Sequence, residues 1–95
     1  MSPHQHVHAV DVKLRGTVQG VGLRYRIMWS ADEEGVSGWV RNEADGTVSV
    51  HLEGPEHRVE NVLAILRTGY PGVRISRMET ARSEVEGARG FQIIH

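Results

Sequence analysis

Two short stretches hold the residue types that handle anions. The first is "GTVQGVGLR", Gly16 to Arg24, in which three glycines stand at 16, 20 and 22 and a guanidinium closes the run. Glycine enters positive φ without steric cost, so a loop of this kind can turn successive backbone N–H groups toward one point and form an anion nest. A breaker-free segment begins immediately after it. If that segment is a helix, its start carries unpaired N–H groups and roughly half a positive charge, and an arginine there is unfavourable by about 0.3 to 1 kcal/mol. An anion lying between the helix end and Arg24 would turn that repulsion into a two-sided clamp. The plain alternative is a strand-to-helix turn with a solvated arginine. A Walker loop is excluded, because Val21 stands where its second glycine belongs and Gly22-Leu23 where it needs Lys-Ser/Thr. A dinucleotide fingerprint starting at Gly20 fails at Tyr25.

The second stretch is "SGWVRNEADG", Ser37 to Gly46. Counting by twos, Asn42 shares a strand face with Val36, Gly38 and Val40. If that face is toward the helices, the Asn42 amide lies on the same side as the glycine loop and could orient a water while Arg24 holds a phosphoryl group. Asn42 would equally serve as a turn residue capping its own hairpin.

The elements that must bring these stretches together can be read from periodicity. Val10, Val12 and Leu14 alternate with Asp11, Lys13 and Arg15, a half-buried first strand beginning at Val10. "LRYRIMWSADEEG" follows as a helix with Leu23, Ile27 and Ala31 on one face and Gly35 as its stop. "VSGWVRN" and "TVSVHLE" form a hairpin through Asp45-Gly46, the second strand one-sided, with Val48, Val50 and Leu52 alternating with Thr47, Ser49, His51 and Glu53. Gly54-Pro55 opens a second helix, with proline in its first turn and a stripe of Val59, Val62, Leu63 and Leu66. "TGYPG" ends it, and Val73 to Glu79 and Phe91 to Ile94 supply two late strands. The order is βαββαβ with a short extra strand. It predicts an α+β, ferredoxin-like sandwich with two helices on one face of a mainly antiparallel sheet. Residues 1–9 are expected to be a mobile tail and residues 10–95 the single domain.

Composition limits what such a domain can do. The chain has 95 residues, 39% hydrophobic and 24% charged, with a net charge of -1. That fits one soluble domain and speaks against a dedicated nucleic-acid binder, whose footprint is basic. Cysteine is absent, which removes disulfides, thiolate metal sites and cysteine nucleophiles together. The longest apolar run, "VLAIL", cannot span a bilayer, and the first ten residues lack a signal-peptide core. A cytoplasmic monomer with no membrane or nucleic-acid partner is expected. His4, His6 and His8 alternate in the tail, where a flexible polar tail is favoured over metal capture. Tyr25 and Trp29 on helix one are weighed between bordering a substrate and packing, and Arg26 and Arg41 between steering anions and simple surface charge.

Together, "GTVQGVGLR" and "GWVRNEADG" resemble the paired motifs of the acylphosphatase family, "G-x-VQGVGFR" and "GWVxN…DG", at the same separation. The closing "GFQIIH" and the strand order agree, and the resemblance spans about residues 9 to 95. It implies hydrolysis of the carboxyl-phosphate bond of acyl phosphates to a carboxylate and inorganic phosphate, with no cofactor and no metal. It also implies Arg24 as phosphate binder, Asn42 as the residue that positions water, and the amides of Gln19, Gly20, Val21, Gly22 and Leu23 as the phosphate cradle. Three departures from the family pattern stand out. Leu23 replaces phenylalanine, Glu34 replaces an apolar residue and is expected to leave the end of helix one more exposed, and "TGYPG" replaces a glycine-proline connection. Other readings of the chain are a non-catalytic anion-binding or regulatory domain of the same fold, a stand-alone relative of the acylphosphatase-like domain in carbamoyl-transferring hydrogenase maturation proteins, and an RNA-recognition module. "RGFQIIH" fits the last poorly in residue type and strand position.

Overall fold

The computed structural model describes residues 6–95. Its elements are β1 (Val7–Thr17), α1 (Leu23–Glu34), β2 (Ser37–Asn42), β3 (Val48–Pro55), α2 (Glu56–Thr68), β4 (Arg74–Arg82) and β5 (Phe91–Ile94). The sheet order is β4-β1-β3-β2-β5, antiparallel throughout except where β5 runs parallel to β2. This is the ferredoxin-like α+β sandwich that the element order predicts.

Both helical stripes are where the periodicity puts them. Leu23, Ile27 and Ala31 of α1 and Val59, Val62, Leu63 and Leu66 of α2 are buried against Val10, Val12 and Leu14 of β1 and Val48, Val50 and Leu52 of β3. Each of the valine, leucine and isoleucine side chains stabilises the fold by about 1.5–3 kcal/mol. α1 ends where Gly35 turns left-handed and its N–H reaches back to the carbonyls of Ala31 and Asp32. Glu34 is tied down rather than left to solvent, its carboxylate accepting from Asn61 Nδ2 at 3.1 Å and its carbonyl from Arg58 at 2.9 Å. Among the described residues no helix is long and apolar enough to cross a membrane.

Four boundaries or faces differ from the periodicity. β1 starts at Val7, not Val10, because β3 is long enough to partner it: Val7 pairs with Pro55, His8 with Gly54 and Ala9 with Glu53. Residues 7–9 of the expected tail are therefore strand, and His4 lies outside the described residues. β4 likewise extends past Glu79 to Arg82, following β1. Pro55 precedes the first turn of α2 rather than sitting in it, since β3 holds it extended at ψ 140°.

The fourth difference concerns β3, which is not one-sided. His51 is fully buried and Glu53 is 3% exposed on the face away from the helices. The His51 ring stacks on Trp39 at 5.7 Å. Its Nδ1 lies 2.7 Å from Asp11 Oδ1 and its Nε2 2.6 Å from Glu53 Oε2. A carboxylate at each nitrogen favours the protonated ring, which can donate at both positions. Glu53 also accepts the N–H groups of Glu86 and Ala88, which fastens residues 83–90 over the sheet. Those cover residues are far along the chain, so alternation in β3 alone could not show this face as buried.

The pair has a definite pH signature. Burial works against the charged His51 ring, but its bonds to Glu53 and Asp11 outweigh that and hold its pKa above the ordinary 6.5. Burial opposes ionised Glu53 too, yet His51 and the two N–H donors hold it below 4.5. A raised histidine stabilises below its unfolded value and loses that contribution as pH rises through the folded one, while a lowered carboxylate loses it as pH falls. Both contributions are complete only between 4.5 and 6.5. In urea titrations His51→Gln should cost about 1.5–3 kcal/mol in that window. The gap to wild type should narrow as pH rises above it, and a gap that stays flat into alkaline pH would show that the ring carries no proton.

Candidate active site

The glycine loop between β1 and α1 is held from below and open above. Val18 and Leu23 are each 1% exposed and Val21 packs against the same core, so apolar anchors alternate with the glycines. Leu23, the departure from phenylalanine, is thus a core residue of α1. Gly20 and Gly22 both have positive φ, 76° and 74°, and a Cβ at either would meet nothing within 4 Å. Their conformation, not crowding, is what requires glycine. Gly16 differs: a Cβ there would lie 2.2 Å from the Arg74 carbonyl, so this glycine serves the close approach of β4 rather than the loop above it.

α1 begins without compensation. Its N-cap, Gly22, offers no side-chain hydrogen bond, and no acidic residue stands in the first turn. The first intrahelical bond belongs to Arg26, whose N–H reaches the Gly22 carbonyl at 3.3 Å, leaving the N–H groups of Leu23, Arg24 and Tyr25 ahead of the helical ladder. Arg24 stands in this positive field. Among the described residues it has no carboxylate partner, and its guanidinium lies 3.4 Å from His95 Nδ1. By contrast, Arg15 pairs with Glu79 at 2.7 Å, Arg41 pairs with Glu43 at 3.0 Å and lies over the Trp39 ring, and Arg26 donates to the Pro71 carbonyl. Arg26 and Arg41 are therefore engaged, whereas Arg24, at the start of α1, is not held by a carboxylate.

Asn42 closes β2 on the helix-side face, in line with buried Gly38 and Val40. Among the described residues its Oδ1 is the one buried side-chain acceptor or donor with no hydrogen-bond partner. Such an atom costs about 1–3 kcal/mol unless something supplies a donor. It is not consumed in capping the hairpin. That turn is closed by Gly46 N–H to the Glu43 carbonyl at 3.1 Å and by Asp45 Oδ1, which accepts from the Thr47 amide and hydroxyl.

Two side chains outside the expected roles join these pieces. Gln19 Nε2 donates to the Glu43 carbonyl at 2.8 Å and to the Thr47 carbonyl at 2.9 Å, linking the glycine loop to the hairpin just beyond Asn42. His95 follows β5, which pairs Ile94 with Arg41, so it ends beside β2 and against Arg24. The polar, loop-borne Gln19 inside an apolar-glycine run was the available signal for the first. Nothing local marks the second.

Elsewhere, Tyr25 and Trp29 are 58% and 70% exposed, so they are not core. They line a cleft of about 300 Å³ with Arg26, Ser30, Glu33 and Tyr70. Donor atoms of His51, Glu53 and Glu86 come within 4.8 Å of one another on the far face of the sheet. Both His51 nitrogens and both Glu53 oxygens are already hydrogen-bonded there, which makes this cluster an ion-pair network.

This small α+β sandwich leaves a helix start bare and an arginine without a carboxylate at one sheet end, charges that an anion would balance. The comparisons narrow this reading. The acylphosphatase family model matches residues 10–93. Acylphosphatases from Rhizobium etli and Thermococcus kodakarensis are 44% and 41% identical, the first over 93% of this chain and 95% of its own length, the second over 87% and 91%. A crystal structure of the acylphosphatase from Bacillus subtilis superposes with a TM-score of 0.88 at 31% identity, covering 93% of this chain and 99% of that one. The chain belongs to the acylphosphatase family and is an enzyme of that kind.

Gly22→Ala should cost about 1–2 kcal/mol in urea unfolding, the strain of a left-handed alanine, and should weaken phosphate inhibition of the enzyme. Stability lost with phosphate affinity unchanged would take Gly22 out of the cradle.

Proposed function

We propose that the enzyme holds the phosphoryl group of an acyl phosphate between Arg24 and the backbone amides of residues 19–23, while Asn42 orients the attacking water. The observation that carries this reading is the uncompensated positive charge at one point: a helix start with neither cap nor acid, and a guanidinium without a carboxylate. A dianionic phosphoryl group supplies what both lack. Asn42 Oδ1, buried and unpaired, accepts a hydrogen from the water and aims its lone pair at phosphorus.

The chemistry then needs little else. The water oxygen bonds to phosphorus as the bond to the acyl oxygen breaks, with the two in line. The departing group is a carboxylate whose conjugate acid has a pKa of about 4, so it leaves unprotonated at neutral pH and requires neither a general acid nor a metal. The water's proton passes to a phosphoryl oxygen of the substrate. Catalysis is therefore positioning and charge stabilisation, which fixed amides and a planar guanidinium provide. The site grips the phosphoryl end, and we place the enzyme in the cytoplasm as a monomer acting on small acyl phosphates.

Arg24→Lys should remove most benzoyl phosphate hydrolysis, because an ammonium cannot reproduce the planar fork; near-normal activity in that variant would sink the assignment. Asn42→Ala should lower kcat by about 10² or more, the scale of one lost transition-state contact, with the inhibition constant for phosphate preserved. A collapse of phosphate affinity instead would make Asn42 a binding residue.

A further inference from the structure

We infer that the Gln19 side chain is a positioning residue that sets Asn42 against the phosphate cradle, an inference that rests on the roles proposed above for Arg24 and Asn42. Its amide nitrogen has two hydrogens, and both are committed, one to the Glu43 carbonyl and one to the Thr47 carbonyl. These two carbonyls face each other across the mouth of the β2–β3 hairpin. Each already accepts one backbone bond, Glu43 from Gly46 N–H at 3.1 Å and Thr47 from Glu43 N–H at 2.9 Å. Gln19 therefore fills the second lone pair of both and clamps the two strands of the hairpin at one point.

What that point controls is Asn42. The peptide group between Asn42 and Glu43 is held on the strand side by the β2–β3 ladder, in which Asn42 pairs with Val48. On the turn side it is followed directly by the carbonyl that Gln19 grips. Among the described residues the two Gln19 bonds are the hydrogen bonds that join residues 16–22 to residues 42–47. Gln19 also immediately precedes Gly20, where the left-handed turns of the cradle begin. One side chain thus spans the gap between the element that holds phosphorus and the element that aims water at it. Its backbone N–H belongs with the expected cradle, and its amide does separate work. In-line attack tolerates little error, and a misplacement of about 1 Å costs about 10²-fold.

A double-mutant cycle tests this, with CD and urea midpoints confirming that each variant is folded. Gln19→Ala should lower kcat for benzoyl phosphate by about 10- to 100-fold while phosphate inhibition shifts far less. Gln19→Glu keeps the volume but turns an acceptor toward two carbonyls, so it should lose at least as much as alanine. In an Asn42→Ala background, where no amide remains to be aimed, Gln19→Ala should cost less than about threefold further. Equal losses in both backgrounds would show that Gln19 merely supports the loop, and full activity of Gln19→Glu would show that it only fills space; either overturns the inference. If wild type hydrolyses benzoyl phosphate but Asn42→Ala is as active, the failure lies instead with the proposed role of Asn42.

Discussion

The register of β1 against β3 is the constraint on which the site depends. Leu14 lies opposite Val48, so β1 runs out into the glycine loop at the same sheet end where β3 begins after the hairpin. β2 is registered on β3 through Val40 opposite Val50 and Asn42 opposite Val48, which brings Asn42 to that end and onto the helix side. A slip of one residue in either ladder would turn Val48, Val50 and Leu52 to the wrong face and carry Asn42 with them. Burial of those three side chains against α1 and α2 makes such a slip costly. The hydrophobic core therefore specifies the geometry of the polar site, and the site needs few residues of its own to be precise.

Within that frame, the protein keeps charges unpaired where it could have paired them. The left-handed Gly22 leaves no place for a capping side chain, but an acid in the first turn of α1 would offset the helix field and stabilise by about 1 kcal/mol or less. Instead Gly22 caps nothing, and arginine follows two residues later. Elsewhere the chain does pair charges: Arg15 with Glu79, Arg41 with Glu43, His51 with Asp11 and Glu53. The break in the local rule at the start of α1 stands where the proposed substrate anion would complete the charge balance.

How much of this was legible in the sequence follows from whether the relevant partner is near in the chain. The helical stripes and the alternation of β1 report on a single element, so periodicity found them. Arg24 and Asn42 stood out because each sits in a compact motif with glycines that the local backbone requires. Alternation puts His51 and Glu53 on the solvent side of β3, and the segment that covers them lies more than thirty positions away in Glu86 and Ala88. Gly16 reads as part of the loop although β4 crowds it at Arg74, and the start of β1 is set by the length of β3, which β1 alone does not show. Gln19 was recognised as part of the loop for its backbone, while its side-chain bonds depend on a hairpin twenty-four residues on.

The two faces of the sheet are linked through β5. On the far face, Glu53 fastens the segment 83–90 by the N–H groups of Glu86 and Ala88, and His51 supplies the charge that makes burying Glu53 tolerable. That segment feeds directly into β5, a strand of only four residues whose ladder is to β2 alone. An edge strand so short gains little stability from its own ladder, and Phe91 is its one buried residue. Phe91 and Ile93 pack it against the core, and the fastened segment before it adds a second anchor. β5 in turn flanks the strand that carries Asn42 and delivers His95 to Arg24. The buried ion pair behind the sheet thus helps hold the C-terminal edge of the site in front of it, which gives a charged pair on the helix-free face a structural reason to be there.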